Sequence, residues 1–156
     1  MLLAWLGYVA FAADIHGKGV RPNSPEEAAA AATLYKIDRK LLRDRVKAGL
    51  EELCRQKNIY PERIAAIGYC FGGTAVPELA RSGADLNGIV SFHGGLDTPN
   101  PQDAEIIRTK ILALHGADDP FVPPEQVKQF QDEMRGENAD WQLVKYSKAV
   151  RSFTNP

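Results

Sequence analysis

Three short stretches of this chain, residues 63–68, 86–92 and 111–116, are apolar on what would be both faces of a strand rather than at every second position. A strand with one solvated face alternates apolar and polar side chains; one apolar throughout is covered on both sides, as in a parallel sheet. Segments with helical signals separate them: residues 73–81 lie between the first two, and Pro123-Pro124-Glu125 opens another helix, to about residue 135, after the third. A last run, Trp141-Gln142-Leu143-Val144-Lys145-Tyr146, has the alternation of a half-exposed strand. Apolar strands separated by helices are βαβ units, so the expected class is α/β, a mostly parallel sheet with helices on both faces.

The amino-terminal part obeys the same grammar. Ser24-Pro25-Glu26-Glu27 is a capping box with proline suited to the first turn, and the alanines at 28–32 favour a short helix after it. Leu42, Val46, Leu50 and Leu53 recur on one face of a second helix, expected over about residues 38–56. Residues 58–62 read as a turn and 97–103 as a proline- and asparagine-rich loop. The apolar run 1–13 ends in small residues that mimic a signal-peptide cleavage site, but no positive charge leads it and it is too short to span a bilayer. Residues 7–13 are therefore expected to form a buried strand, ended by Asp14 and the Gly17-Lys18-Gly19 loop.

At 156 residues, the expected organisation is a single domain over 1–156. Nineteen basic residues stand against twenty acidic ones, a balance without the footprint of a nucleic-acid or anionic-membrane binder. Cys54 and Cys70 are too few for a disulfide framework and form no CxxC or Cys/His zinc pattern. The expectation is a protein of a reducing compartment, the cytoplasm, with no metal or organic cofactor.

Gly68-Tyr69-Cys70-Phe71-Gly72-Gly73 sits directly between an expected strand and an expected helix. G-x-C-x-G in that context is a sharp turn that pushes the central side chain out above the sheet. Side chains at Gly68 and Gly72 are expected to collide with the neighbouring backbone. Cys70 would lie near a helix N-terminus, which favours a thiolate, and the Phe71 N–H would face an oxyanion on a carbonyl attacked by the sulfur. The competing reading is a buried cysteine beside helix-packing glycines.

A nucleophile of this kind needs a base, and the base an orienting acid. Asp118 and Asp119 follow the strand at 111–116; either carboxylate could serve, and the spacing to Val122-Pro123 favours Asp119. Their alternative role is as simple turn residues. The histidines are His16, His93 and His115, none after Asp119; His93 and His115 could line a cleft, although strand-end histidines are more often structural. Neither a later His-x-Glu pair, as glutamine amidotransferases use, nor a phosphate-binding glycine loop occurs.

Residues 68–73, Ser91-Phe92-His93-Gly94-Gly95-Leu96-Asp97-Thr98-Pro99, the stretch 115–123, and the terminal Ala149-Val150-Arg151-Ser152-Phe153-Thr154-Asn155-Pro156 together resemble the dienelactone hydrolase family. These are α/β-hydrolases that open lactones and related esters with a cysteine nucleophile. The likeness runs along nearly the whole chain, from Gly7-Tyr8-Val9-Ala10 onward. It implies Cys70 as nucleophile, Asp119 as triad acid, the Phe71 N–H in the oxyanion hole, and Lys18, Tyr69 and His93 at the substrate, with His93 near the cleft but not the base. The implied partner is a small-molecule ester or lactone.

Two departures accompany the likeness. Where the family's terminal motif carries histidine, this chain has Arg151, whose guanidinium stays protonated and cannot take a proton from Cys70. The resemblance also implies a partial α/β-hydrolase domain, a shortened member lacking the early strands and the closing helix, whose exposed strand edges could self-associate. The expected function is an ester or lactone hydrolase impaired at Arg151, the alternative a non-catalytic relative.

Overall fold

The computed structural model describes residues 2–154, which fall into two compact units, Met1–Pro61 and Glu62–Pro156. The first holds α1 (Leu2–Trp5), α2 (Pro25–Ile37) and α3 (Arg39–Cys54). Ser24 caps α2 as its pattern requires: its Oγ accepts the Glu27 N–H at 3.2 Å, while the Glu27 carboxylate reaches back to the N–H of Asn23 at 2.8 Å. The helix runs five residues past the alanines, until Asp38 caps α3 by accepting the Leu41 N–H at 2.9 Å. Leu42 and Val46 of the α3 stripe are buried, and Leu50 and Leu53 half-buried. Residues 7–13 form no strand. Extended backbone becomes a strand only where a neighbour completes its hydrogen-bond ladder; these residues have no such neighbour among the described ones, and all but Ala10 are exposed.

The second unit is built on a four-stranded sheet, β1 (Ala65–Tyr69), β2 (Gly88–Phe92), β3 (Lys110–Gly116) and β4 (Trp141–Tyr146), ordered as in the sequence and parallel throughout. This is the expected α/β arrangement. Between the strands run α4 (Phe71–Arg81) and α5 (Pro124–Gly136). Ile89, Ile111 and Ala113 of the sheet and Leu79, Phe130 and Met134 of the helices are buried, each large one contributing about 1.5–3 kcal/mol of apolar transfer free energy.

Pro77 lies inside α4, where its missing N–H leaves the Gly73 carbonyl without a helical donor. Ser91 of β2 fills the gap, donating its hydroxyl to that carbonyl at 2.7 Å. At the other end of α4 a buried ion cluster holds the helix. Arg81 donates from Nε and Nη2 to the two oxygens of Glu133 on α5, at 2.8 and 2.7 Å. It donates from Nη1 to Glu78 at 2.9 Å and from Nη2 to the Leu96 carbonyl at 3.0 Å. Burial, the largest single influence on Arg81, disfavours its charge, but hydrogen bonds and charge from Glu133 and Glu78 outweigh it and hold its pKa above the usual guanidinium value.

Candidate active site

Each strand delivers a candidate side chain to the same end of the sheet: Cys70 follows β1, His93 follows β2, Asp118 and Asp119 follow β3, and Arg151 follows β4. Parallel strands place all their carboxyl ends together, which is where such sheets carry chemistry.

Cys70 stands between β1 and α4 with φ at 51°, a left-handed conformation that non-glycine residues rarely adopt. The strain is sustained because flanking glycines let strand and helix touch. A Cβ at Gly68 would lie 2.0 Å from the Gly72 carbonyl oxygen, one at Gly73 2.7 Å from the Phe92 oxygen, and one at Gly94 2.1 Å from the Gly73 carbonyl carbon. The expectation for Gly72 is corrected: a Cβ there would meet nothing within 4 Å. The glycines required by contact are Gly68, Gly73 and Gly94, because α4 packs its first turn onto the backbone that leaves β2.

That packing brings His93 to the sulfur. Cys70 Sγ lies 3.3 Å from His93 Nδ1, and the Cys70 N–H is shared between the Phe92 carbonyl at 3.1 Å and the same Nδ1 at 3.3 Å. His93 itself has φ at 42° and is 2% exposed, its ring set edge-on to Phe153 with its Nε2 3.0 Å from Thr154 Oγ1. Ser152 Oγ lies 3.7 Å from Cys70 Sγ. Ser152 and Thr154 were not among the sequence candidates, since nothing but their place in the terminal motif marks them.

Of the two aspartates, Asp118 is exposed and Asp119 buried. Gly116 decides this: a Cβ there would lie 2.6 Å from the carbonyl oxygens of both Ala149 and Val150. Without one, the 149–150 backbone passes close over the end of β3, accepts the Asp118 N–H at 3.0 Å, and delivers Arg151 to Asp119. Asp119 Oδ1 accepts the Phe121 N–H at 2.9 Å, whereas Oδ2 accepts no hydrogen bond among the described residues and faces Arg151 Nη1 at 3.7 Å. The Arg151 guanidinium also lies over the Phe121 ring, 5.3 Å from its centroid. Phe71 begins α4, and the exposed Tyr69 ring stacks on Phe92 at 4.5 Å. Lys18 belongs to the first unit, on the exposed turn where Val20 N–H bonds the Gly17 carbonyl at 3.1 Å. Cys54 is exposed at the last residue of α3.

Burial pushes the His93 pKa below its ordinary 6.5, Arg151 pushes it further, and the His93 backbone hydrogen bond and Asp119 offset only part. Burial likewise lowers His115 on β3, whose buried Nδ1 has no hydrogen-bond partner among the described residues. A histidine with a lowered folded pKa binds its proton more readily when unfolded. The stability these two contribute is therefore full above about pH 6.5 and is lost as pH falls below it toward the lower folded values. Urea denaturation should show a lower midpoint at about pH 5.5 than at about pH 7.5, and His115→Gln should flatten part of that slope. A midpoint that rises on acidification contradicts these assignments.

Among the described residues no three His, Cys, Asp or Glu side chains gather as a metal site, and no helix is long and apolar enough to cross a membrane.

The family model that matches residues 2–156, all but the first residue, is that of the dienelactone hydrolase family. The chain belongs to this family. A probable 2-oxo-3-(5-oxofuran-2-ylidene)propanoate lactonase of a Bradyrhizobium species is 30% identical over 97% of this chain and 64% of its own length. A putative carboxymethylenebutenolidase of Salmonella typhimurium is 26% identical over 97% of this chain and 59% of its own. Among solved structures, a dienelactone hydrolase-like promiscuous phosphotriesterase from metagenomic libraries superposes with a TM-score of 0.93 at 42% identity, covering 99% of this chain and 64% of that one. The chain thus shares the fold of dienelactone hydrolases and spans about three fifths of the length of these relatives.

Proposed function

We propose that this chain is a hydrolase of carboxylic esters and lactones whose nucleophile is Cys70 and whose turnover is impaired by Arg151. The observation that carries the reading is the strained turn at Cys70, with φ at 51° and its sulfur 3.3 Å from an imidazole nitrogen. Such strain persists only where the surrounding structure holds it, and it concentrates at reactive sites. The sulfur attacks the carbonyl carbon, the C–S bond forms, and the Phe71 N–H steadies the oxyanion. Expulsion of the alcohol leaves a thioester. Its hydrolysis needs a base to activate water, and Arg151, beside Asp119, holds a permanent cation where the family's likeness calls for histidine. Tyr69, which flanks Cys70, is assigned to substrate binding. The relatives named as a lactonase and a carboxymethylenebutenolidase support the substrate class. The two free thiols suit a cytoplasmic setting.

A non-catalytic relative is the second reading, favoured by the 3.7 Å approach of Arg151 to the oxygen of Asp119 that would orient a base. Mass spectrometry after incubation with p-nitrophenyl acetate separates the two. With exposed Cys54 changed to serine, one acetyl group is expected on Cys70 and none in Cys70→Ala. A chain that stays unacetylated at every pH is the non-catalytic relative.

A further inference from the structure

Arg151 cannot deprotonate a thiol, yet the atom nearest the Cys70 sulfur that can take a proton lies on another strand end. We propose that His93 is the base that receives the Cys70 thiol proton and so drives acylation; the proposal rests on Cys70 being the nucleophile.

Three independent features of the geometry carry it. The distance from Cys70 Sγ to His93 Nδ1 is 3.3 Å, direct and with no intervening group. The Cys70 N–H also points at Nδ1, at 3.3 Å, and an N–H approaches only a nitrogen with a lone pair. Nδ1 is therefore the unprotonated nitrogen, and Nε2 carries the hydrogen, donated to Thr154 Oγ1 at 3.0 Å. Finally, the ring is held in place: His93 leaves β2 at a positive φ of 42°, its own N–H donates to the Leu114 carbonyl at 2.9 Å, and Phe153 packs edge-on against it.

The step balances. The S–H bond breaks as Nδ1–H forms and the sulfur lone pair makes the C–S bond, with the carbonyl π electrons moving onto oxygen. Collapse of that oxyanion expels the alkoxide, which takes the proton from Nδ1, leaving the thioester and neutral imidazole. While Nδ1 is protonated, the Cys70 N–H keeps the Phe92 carbonyl, at 3.1 Å, as its acceptor. The role assigned to His93 is acylation alone, with thioester hydrolysis left to the position that Arg151 holds beside Asp119. The expected kinetics are a burst of one alcohol per chain followed by slow turnover.

The groups that face His93 are Cys70 at the start of α4, Tyr69 at the end of β1, Asp119 after β3, and Arg151, Phe153 and Thr154 after β4. Burial and Arg151 keep the imidazole neutral, hence ready to accept, to a lower pH than usual, against the smaller opposing pull of Asp119.

The test is the pH dependence of single-turnover acetylation by p-nitrophenyl acetate in the full chain carrying Cys54→Ser. The parent is expected to gain its rate along a titration below about pH 6.5, where an unassisted thiol, ionising near 8.5, is inert. His93→Asn suits the left-handed backbone and keeps an acceptor for the Cys70 N–H but cannot take a proton. It is expected to acetylate at least about 100-fold more slowly at neutral pH and to recover only as the thiol ionises by itself. Arg151→Met, which removes the cation facing the ring, is expected to move the parent's titration upward. A His93→Asn variant within threefold of the parent, still acetylated on Cys70, overturns the proposal and leaves the nucleophile standing. Should that variant fail to fold, the parent profile decides, and an onset near pH 8.5 overturns it. No acetylation of the parent at any pH overturns the nucleophile and this proposal together.

Discussion

Arg151→His is expected to raise steady-state hydrolysis of p-nitrophenyl acetate by about 10²–10⁴-fold, the usual contribution of a positioned acid–base group. The acid that would orient the new imidazole is already prepared. Asp119 is fixed through Oδ1 by the Phe121 N–H, and its Oδ2, buried and without a hydrogen bond among the described residues, is the oxygen that Arg151 approaches. A histidine there exchanges a group that is always protonated for one that gives and takes a proton near neutrality. The substitution should raise kcat and KM together and leave kcat/KM little changed, because the proposed role of the substituted residue is in thioester hydrolysis, after acylation is complete. Arg151→Gln, which removes the cation without supplying a base, should bring no comparable gain. Equal rates for the histidine and glutamine variants would show that charge, not proton transfer, limits turnover.

Arg81→Met is expected to destabilise the chain by about 3–5 kcal/mol, among the largest effects a single substitution produces. Arg81, Glu78 and Glu133 are all at most 7% exposed, and the guanidinium pairs with both carboxylates. Removing it takes away the cation that bridges two buried acidic groups. Their pKa values in the folded variant must then rise above the unfolded ones, so the variant regains stability as pH falls and the gap to the parent narrows on acidification. Urea titrations at about pH 8 and about pH 5 measure both the gap and its slope. A loss under about 1 kcal/mol, or a gap that widens in acid, contradicts the description of the cluster as a buried ionic network held by Arg81. Because Cys70 is the N-cap of α4 and Arg81 its last residue, the same contacts that stabilise the fold also fix the helix that presents the sulfur.

The parallel sheet was legible because several apolar runs recur along the chain with helical segments among them, the pattern of βαβ units. Two boundaries moved where backbone turns intervened: a 3-10 turn at Pro61–Arg63 delays β1 to Ala65, and another, Pro101–Ile106, begins inside the stretch that the composition marks as loop. Residues 7–13 read as a strand because an apolar run carries no information about whether a ladder partner lies beside it. The strained turn at Cys70 was also legible, since a glycine on each side of a strand–helix junction reflects contact; that Gly73 rather than Gly72 makes the second contact depends on how α4 meets the end of β2. The approach of His93 to the sulfur was not legible as a proton path. It arises from a left-handed backbone at residue 93, which no neighbouring residue type announces, and from hydroxyls at Ser152 and Thr154 that local sequence does not connect to residues so distant in the chain.

The central claim is that the Cys70 sulfur performs the chemistry and that Arg151 limits it. Turnover by the double variant Cys70→Ala/Arg151→His, measured beside Arg151→His alone, tests this most directly. With the sulfur gone, the restored base has nothing to serve, and hydrolysis should fall to the level of solution without protein. A double variant that keeps the activity of Arg151→His would contradict the account, since the reacting atom would then lie elsewhere.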